Sequence, residues 1–184
     1  NVAFKKTRLL ADGTTRLHID ISPDGKRLLW QDGSWRIHFA DTNGLSVVDG
    51  PNMAADDVYA WSPDGKWLAA GFSDNHKNYD VWIVSTTASH EPVNVSRHFM
   101  WDGDPAWSPD GKILAWCGRR ENNAPCRLHY LFLDGKEGKG APNEIDFEDI
   151  DLRVKTVNVR ASNPFFNADS RTLAFDDGTQ TAKI

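Results

Sequence analysis

Short apolar stretches, partly alternating with polar residues, recur along the whole chain and are cut off by Gly, Pro, Asn and Asp. "RLHIDI", "KRLLW", "SWRIHFAD" and "LSVVDG" make one such series, and "DVYAW", "KWLAA", "YDVWIVS" and "PVNVSR" a second. A third runs "GDPAW", "KILAW", "CRLHYLFLD" and "LRVKTVNVR", and a fourth begins with "SNPFF" and "RTLAF". Their β-branched and aromatic content and their turn-forming boundaries predict strands. No stretch sustains a helical period with caps.

One turn joins the first two strands of each series. It reads Ser22-Pro23-Asp24-Gly25, Ser62-Pro63-Asp64-Gly65 and Ser108-Pro109-Asp110-Gly111, each followed by Lys, with a degraded copy at Asn167-Ala168-Asp169-Ser170-Arg171. Ser accepts at the first turn position, Pro presets φ at the second, Asp takes the third and Gly the left-handed residue that follows. In the fourth copy Ser170 stands where Gly is expected, at a cost of ~1–2 kcal/mol if the left-handed geometry is kept. Ile21, Trp61, Trp107 and Phe166 precede the turns, and Leu28, Leu68, Leu114 and Leu173 follow in register. The serines therefore read as structural turn residues.

Four short strands in about 40–45 residues is the signature of a β-propeller blade. The expectation is an all-β chain of antiparallel four-stranded blades at about 14–50, 51–98 and 99–160, with a partial blade over 161–184. Phe4–Leu10 reads as the last strand of a preceding blade. Such an array suits a piece of a larger propeller, able to self-associate through open blade faces. A small four-bladed ring, completed by Phe4–Leu10, is the alternative. The spacing from the third turn to the fourth exceeds the earlier ones and places an insertion in the third blade.

Hydrophobic residues make up 40% of the 184, and eight Trp fall among them, enough for a globular core. The net charge of −5, with no basic tract, argues against a nucleic-acid partner. No apolar run has the length of a membrane span, and no signal peptide is visible. The chain opens at Asn1, which reads as a processed form or a piece of a longer chain. Cys117 and Cys126 flank a loop. They form either a disulfide, which tips the expected location toward an extracytoplasmic compartment, or two free thiols.

Chemistry is sparse. There is no Gly-x-Ser-x-Gly elbow and no His-Glu-x-x-His, so neither nucleophilic nor metal catalysis is expected, and no cofactor. His38, Trp82 and His129 share a third-strand position, which points to repeat packing. The acids Glu144, Asp146, Glu148, Asp149 and Asp151 in the insertion suit a solvated loop better than a Ca²⁺ site, and Arg153 is placed to pair with one of them. First strands line a propeller's channel, which puts Asp20, Asp56, Asp57, Asp102 and Asp104 near its mouth. There they either favour basic or amine-bearing peptides or simply cap turns. Trp35, Trp67 and Trp101 are candidate partner anchors, while Trp61 and Trp107 suit packing between blades.

An aromatic residue, then Ser-Pro-Asp-Gly-Lys, then an apolar strand resembles the TolB-type WD-like propeller repeat over nearly the whole chain. Ile145, Asp146, Phe147, Glu148, Asp149, Ile150, Arg153 and Val154 resemble a stretch of the propeller regions of tricorn-like serine peptidases. That resemblance implies a non-catalytic segment that guides or gates peptides toward a separate protease domain. Two other readings are a TolB-like envelope scaffold that binds partner proteins, and a propeller lyase or hydrolase. The lyase would need basic residues and metal ligands at the channel, which the acidic mouth opposes.

Overall fold

The computed structural model describes residues 15–43, 46–73, 78–122, 124–175 and 180–183, the side chains of 15–18, 56–57 and 180–183 excepted. The expected strand at Phe4–Leu10 lies outside the described residues. Fifteen strands follow one another: β1 Thr15–Ile21, β2 Arg27–Asp32, β3 Ile37–Asp41, β4 Val47–Asp49, β5 Ala54–Trp61, β6 Trp67–Ser73, β7 Tyr79–Ser85 and β8 Val93–Asn94. Then come β9 Asp102–Trp107, β10 Ile113–Gly118, β11 Arg127–Phe132, β12 Lys155–Arg160, β13 Phe165–Phe166, β14 Thr172–Phe175 and β15 Gln180–Lys183. They pair in chain order into three antiparallel four-stranded sheets and one of three strands. The single 3-10 turn among the described residues, Ile150–Arg153, lies in the insertion between β11 and β12.

The sheets stack face to face, so the middle strands are buried on both sides. In β6, Leu68, Ala70 and Phe72 pack toward the first sheet with Leu29, Ile37 and Phe39, while Ala69 faces the third with Leu114 and Trp116. In β10, Ala115 and Cys117 turn the other way, onto Leu173 and Phe175 of the fourth sheet. This two-residue period on doubly buried strands explains why "KILAW" reads as an unbroken apolar run. Trp61 and Trp107 tie sheets together with their indole N–H groups. The first donates to Asp20 Oδ2 at 2.9 Å and the second to the Ala60 carbonyl at 3.0 Å, each on the preceding sheet.

All four turns share one hydrogen-bond pattern. The N–H of Gly25, Gly65, Gly111 or Ser170 donates to the carbonyl three residues back, at 2.8–3.0 Å. Ser22, Ser62 and Ser108 are buried; each hydroxyl donates to the turn's Asp and accepts from the N–H that starts the next strand. Where Asn167 replaces Ser, Asp169 takes the Thr172 N–H at 2.8 Å instead. Ser170 keeps the left-handed backbone at φ 57, and its hydroxyl accepts the Asp110 N–H of the neighbouring turn at 3.0 Å. That bond offsets the strain.

The insertion straps the third sheet to the second. Ile150 is buried, and Ile145, Phe147 and Val154 pack on the same core. Phe147 stacks on His90 at 4.3 Å and lies 5.2 Å from Trp67. Arg153 reaches back to Asp146, pairing with its carboxylate at 3.6 Å and donating to its carbonyl. The expected Arg153–acid pair is present, and Ile145, Phe147, Ile150 and Val154 are packing residues, whereas Leu152 is exposed.

One sheet face is partly exposed, around the buried Trp30 and Ala40. Ile19, Ile21 and Val47 are at least half exposed on the side of the first sheet away from Leu29. Self-association through this face is our expectation: light scattering should give a mass above one chain, falling to one chain in Ile21→Lys. A single-chain mass at high concentration would contradict it.

Candidate functional site

The first strand of each sheet starts at the end opposite the Ser-Pro-Asp-Gly turns, where the crossovers 50–53 and 95–101 and the loops 33–36 and 119–126 gather. A buried polar cluster forms here at the joint of the second and third sheets.

Asp102, the first residue of β9, is fully buried. Its Oδ1 accepts from Arg120 Nη1 at 2.8 Å and Trp116 Nε1 at 3.2 Å, and Oδ2 has no hydrogen-bond partner among the described residues. Gly118 pairs with Asp102 across the β9–β10 ladder, and a methyl group there would sit 1.7 Å from the carboxylate, so only Gly admits it. Asp80, buried in β7, accepts from Asn94 Nδ2 at 2.8 Å, Ser96 Oγ at 3.0 Å and the His98 N–H at 3.0 Å, pinning the crossover 95–101.

Burial pushes the Asp102 carboxyl up to about 6, opposed by Arg120 and Trp116 and reinforced by Asp80. Burial, and then the Arg120 charge, pull His129 down to about 3, so its imidazole is neutral. Burial and Arg120 also lower His98, against the pull of Asp80. His129 Nδ1 lies 2.8 Å from Thr156 Oγ1, and its ring is tilted against Trp116 with centroids 6.0 Å apart.

The same register position recurs in the other sheets. Trp30 pairs with His38 in the first, Ala70 with Trp82 in the second and Trp116 with His129 in the third. In the second sheet the small residue sits on the second strand and the large one on the third, the reverse of its neighbours. His38 spans two carboxylates, Asp49 at 2.9 Å from Nδ1 and Asp32 at 3.2 Å from Nε2.

The sequence-predicted acids separate by position. Asp20 lies at the turn end of β1, where Trp61 and Tyr59 donate to it, so it joins sheets at the end opposite Asp102. Asp104 occupies a bulge: Asp104 and Pro105 together face Trp116, and Asp104 is half-buried with φ 52. The side chains of Asp56 and Asp57 lie outside the described residues. Cys117 and Cys126 are not joined in a disulfide. Cys117 pairs with Leu128, which leaves Cys126 a diagonal neighbour, and diagonal Cα atoms ~7–8 Å apart exceed the disulfide range.

Trp67 is half-buried under Phe147 and His90, and Trp101 is half-buried against Gly103. Trp35 anchors the β2–β3 loop through its backbone, accepting the Ala55 N–H at 3.0 Å. The exposed aromatic at this end is Phe99, at 69%. Sequence reading missed Asp80, His98, Phe99 and Arg120; the one signal for them was a pair of arginines directly after a buried strand.

The turn serines have their hydroxyls committed to Asp24, Asp64 and Asp110, so none is poised as a nucleophile. Among the described residues, no three His, Cys, Asp or Glu are placed to hold a metal ion. In the acidic run, Glu144 pairs with Lys136 at 3.0 Å and Asp151 with Arg97 at 3.6 Å. No helix among the described residues is long and apolar enough to cross a membrane.

No protein-family model matches the chain. Dipeptidyl-peptidase 5 of Porphyromonas gingivalis is 28% identical over 109 residues, which covers 50% of this chain and 16% of that protein. Among solved structures, tricorn protease superposes with a TM-score of 0.66 at 12% identity, over 88% of this chain and 19% of that one. A TolB-type protein of Agrobacterium tumefaciens gives a TM-score of 0.59 at 18% identity, over 90% of this chain and 60% of that one. The chain thus spans less than two thirds of each of these relatives. At these identities the likeness is one of fold. The stacked antiparallel sheets are blades of a TolB-like β-propeller of the kind found in tricorn protease.

Proposed function

We propose that this chain is a non-catalytic, peptide-binding propeller segment associated with a peptidase. The observation that carries the reading is a convergence: a sequence relative and a fold neighbour obtained independently are both peptidases. The buried turn serines agree with it, since their hydroxyls are held by Asp24, Asp64 and Asp110. In this reading Asp104 on the third sheet's first strand contributes to a peptide site that favours a free amine or a basic side chain. Asp20 and Asp102 act differently, holding the strands that carry them. A TolB-like scaffold would share the fold but bind folded protein surfaces instead.

Fluorescence anisotropy of labelled short peptides with the purified chain tests this. A Lys-bearing peptide with a free N-terminus should bind, weaken several-fold between low and moderate salt, and weaken again in Asp104→Asn. An N-acetylated acidic peptide should not bind. Equal affinity for both peptides, or no binding of either, would overturn the proposal.

A further inference from the structure

The β10–β11 loop ends with the Cys126 carbonyl accepting the Ala161 N–H at 3.0 Å, and its start, residues 119–122, is held at two further points. Its Arg119 N–H donates to the Trp101 carbonyl at 2.9 Å, and Arg120 turns inward onto Asp102. The first is an ordinary backbone bond. The second joins a guanidinium one-quarter exposed to a carboxylate wholly out of water.

Charged and titratable groups surround the Asp102–Arg120 pair. Arg120 of the loop and Asp80 of β7 act on Asp102 itself, while His98 of the crossover and His129 of β11 feel Arg120, with Arg127 acting on His129 in turn. Of these, Arg120 is the one cation bonded to Asp102 among the described residues. The neutral His129 cannot replace it, and Asp80 is already committed to the crossover by three hydrogen bonds.

We propose that Asp102 and Arg120 form a proton-operated latch on the start of this loop, residues 119–122. With Asp102 ionised, Arg120 is drawn in and the loop closes on the crossover that carries Phe99. With Asp102 protonated, the charge-assisted bond is lost, Arg120 turns to water and the loop opens. Burial places this switch near pH 6, within reach of ordinary compartment acidification. The consequence for ligand access rests on the peptide-binding reading; the latch itself does not.

Hydrogen exchange of residues 119–122, corrected for the intrinsic pH dependence of exchange, tests the latch without any peptide. Protection should fall about tenfold as the pH drops from 7.5 to 5, while the strands β6 and β10 stay unchanged. Asp102→Asn should leave the loop open at every pH. Arg120→Gln, whose side chain is partly exposed and whose loss leaves the core intact, should do the same. NMR should show the Asp102 carboxyl carbon titrating near 6. A wild-type loop equally protected at both pH values, a carboxyl titrating near 4, or a loop in Arg120→Gln that still opens on acidification would overturn the proposal. Peptide affinity measured at pH 5 and 7.5 then reads the functional consequence separately. A pH-independent affinity alongside a working latch would refute the gating alone.

Discussion

Replacing Asp102 with Asn should make the protein more stable at pH 7, by about 1–3 kcal/mol, and should expose a pH dependence that the wild type conceals. Asp102 holds its proton up to about pH 6 in the folded state, against 3.8 as an ordinary carboxyl. Its raised pKa contributes stability that is full below 3.8 and lost as pH rises through 6. His129 works in the opposite sense. Its folded value of about 3, against 6.5, contributes stability that is full above 6.5 and lost as pH falls toward 3. Between pH 4 and 6 the two slopes cancel, one proton against the other, so the wild type should be nearly flat there from these groups. Asp102→Asn leaves His129 alone, and stability should climb by up to about 1.4 kcal/mol per pH unit. His129→Gln leaves Asp102 alone, and stability should fall with pH by a similar slope. Urea denaturation at pH 4, 5, 6 and 7 reads all three curves. Parallel curves for the three proteins would show that the cluster is not coupled to folding.

The second large effect separates equivalent glycines of the repeated turn. Gly65 has φ 69, and a methyl there would lie 2.7 Å from Asp24 Oδ1 and 3.0 Å from Ser22 Cβ in the preceding turn. Gly65→Ala should therefore cost the left-handed penalty and overpacking together, about 2–4 kcal/mol. Gly25 has the same backbone, φ 72, and open space around it, so Gly25→Ala should cost only about 1 kcal/mol. Ser170→Gly relieves strain but gives up the bond to Asp110, and should change stability by less than about 1 kcal/mol. Thermal or chemical denaturation gives the ranking. Equal costs at Gly25 and Gly65 would mean that the turns act locally and do not pack from blade to blade.

The periodic features were legible in the sequence. Strand alternation, turn chemistry and the equivalence of His38, Trp82 and His129 each repeat, and each depends on neighbours close in the chain. Arg153 could be matched to the insertion acids because it lies seven residues from Asp146. The polar cluster was not legible in the same way. An aspartate opening "DGDPAW" looks like any solvated strand start; its burial depends on Gly118 across the ladder and Arg120 beyond it, joined only once the sheet forms. Asp20 reads as a channel acid until Trp61, from the next sheet, donates to it. The sequence leaves Cys117 and Cys126 open between a disulfide and separate thiols, because a count of loop residues does not distinguish directly paired cysteines from diagonal ones.

The central claim is that this chain binds peptides and does not cut them. Its most direct measurement is mass spectrometry of a free-amine, Lys-bearing peptide held with the chain under conditions where anisotropy shows it bound. The prediction is full recovery of intact peptide, with binding unchanged in Ser108→Ala. Cleavage products that accumulate with time and disappear in Ser108→Ala would contradict it, and would make the repeated turn a catalytic element.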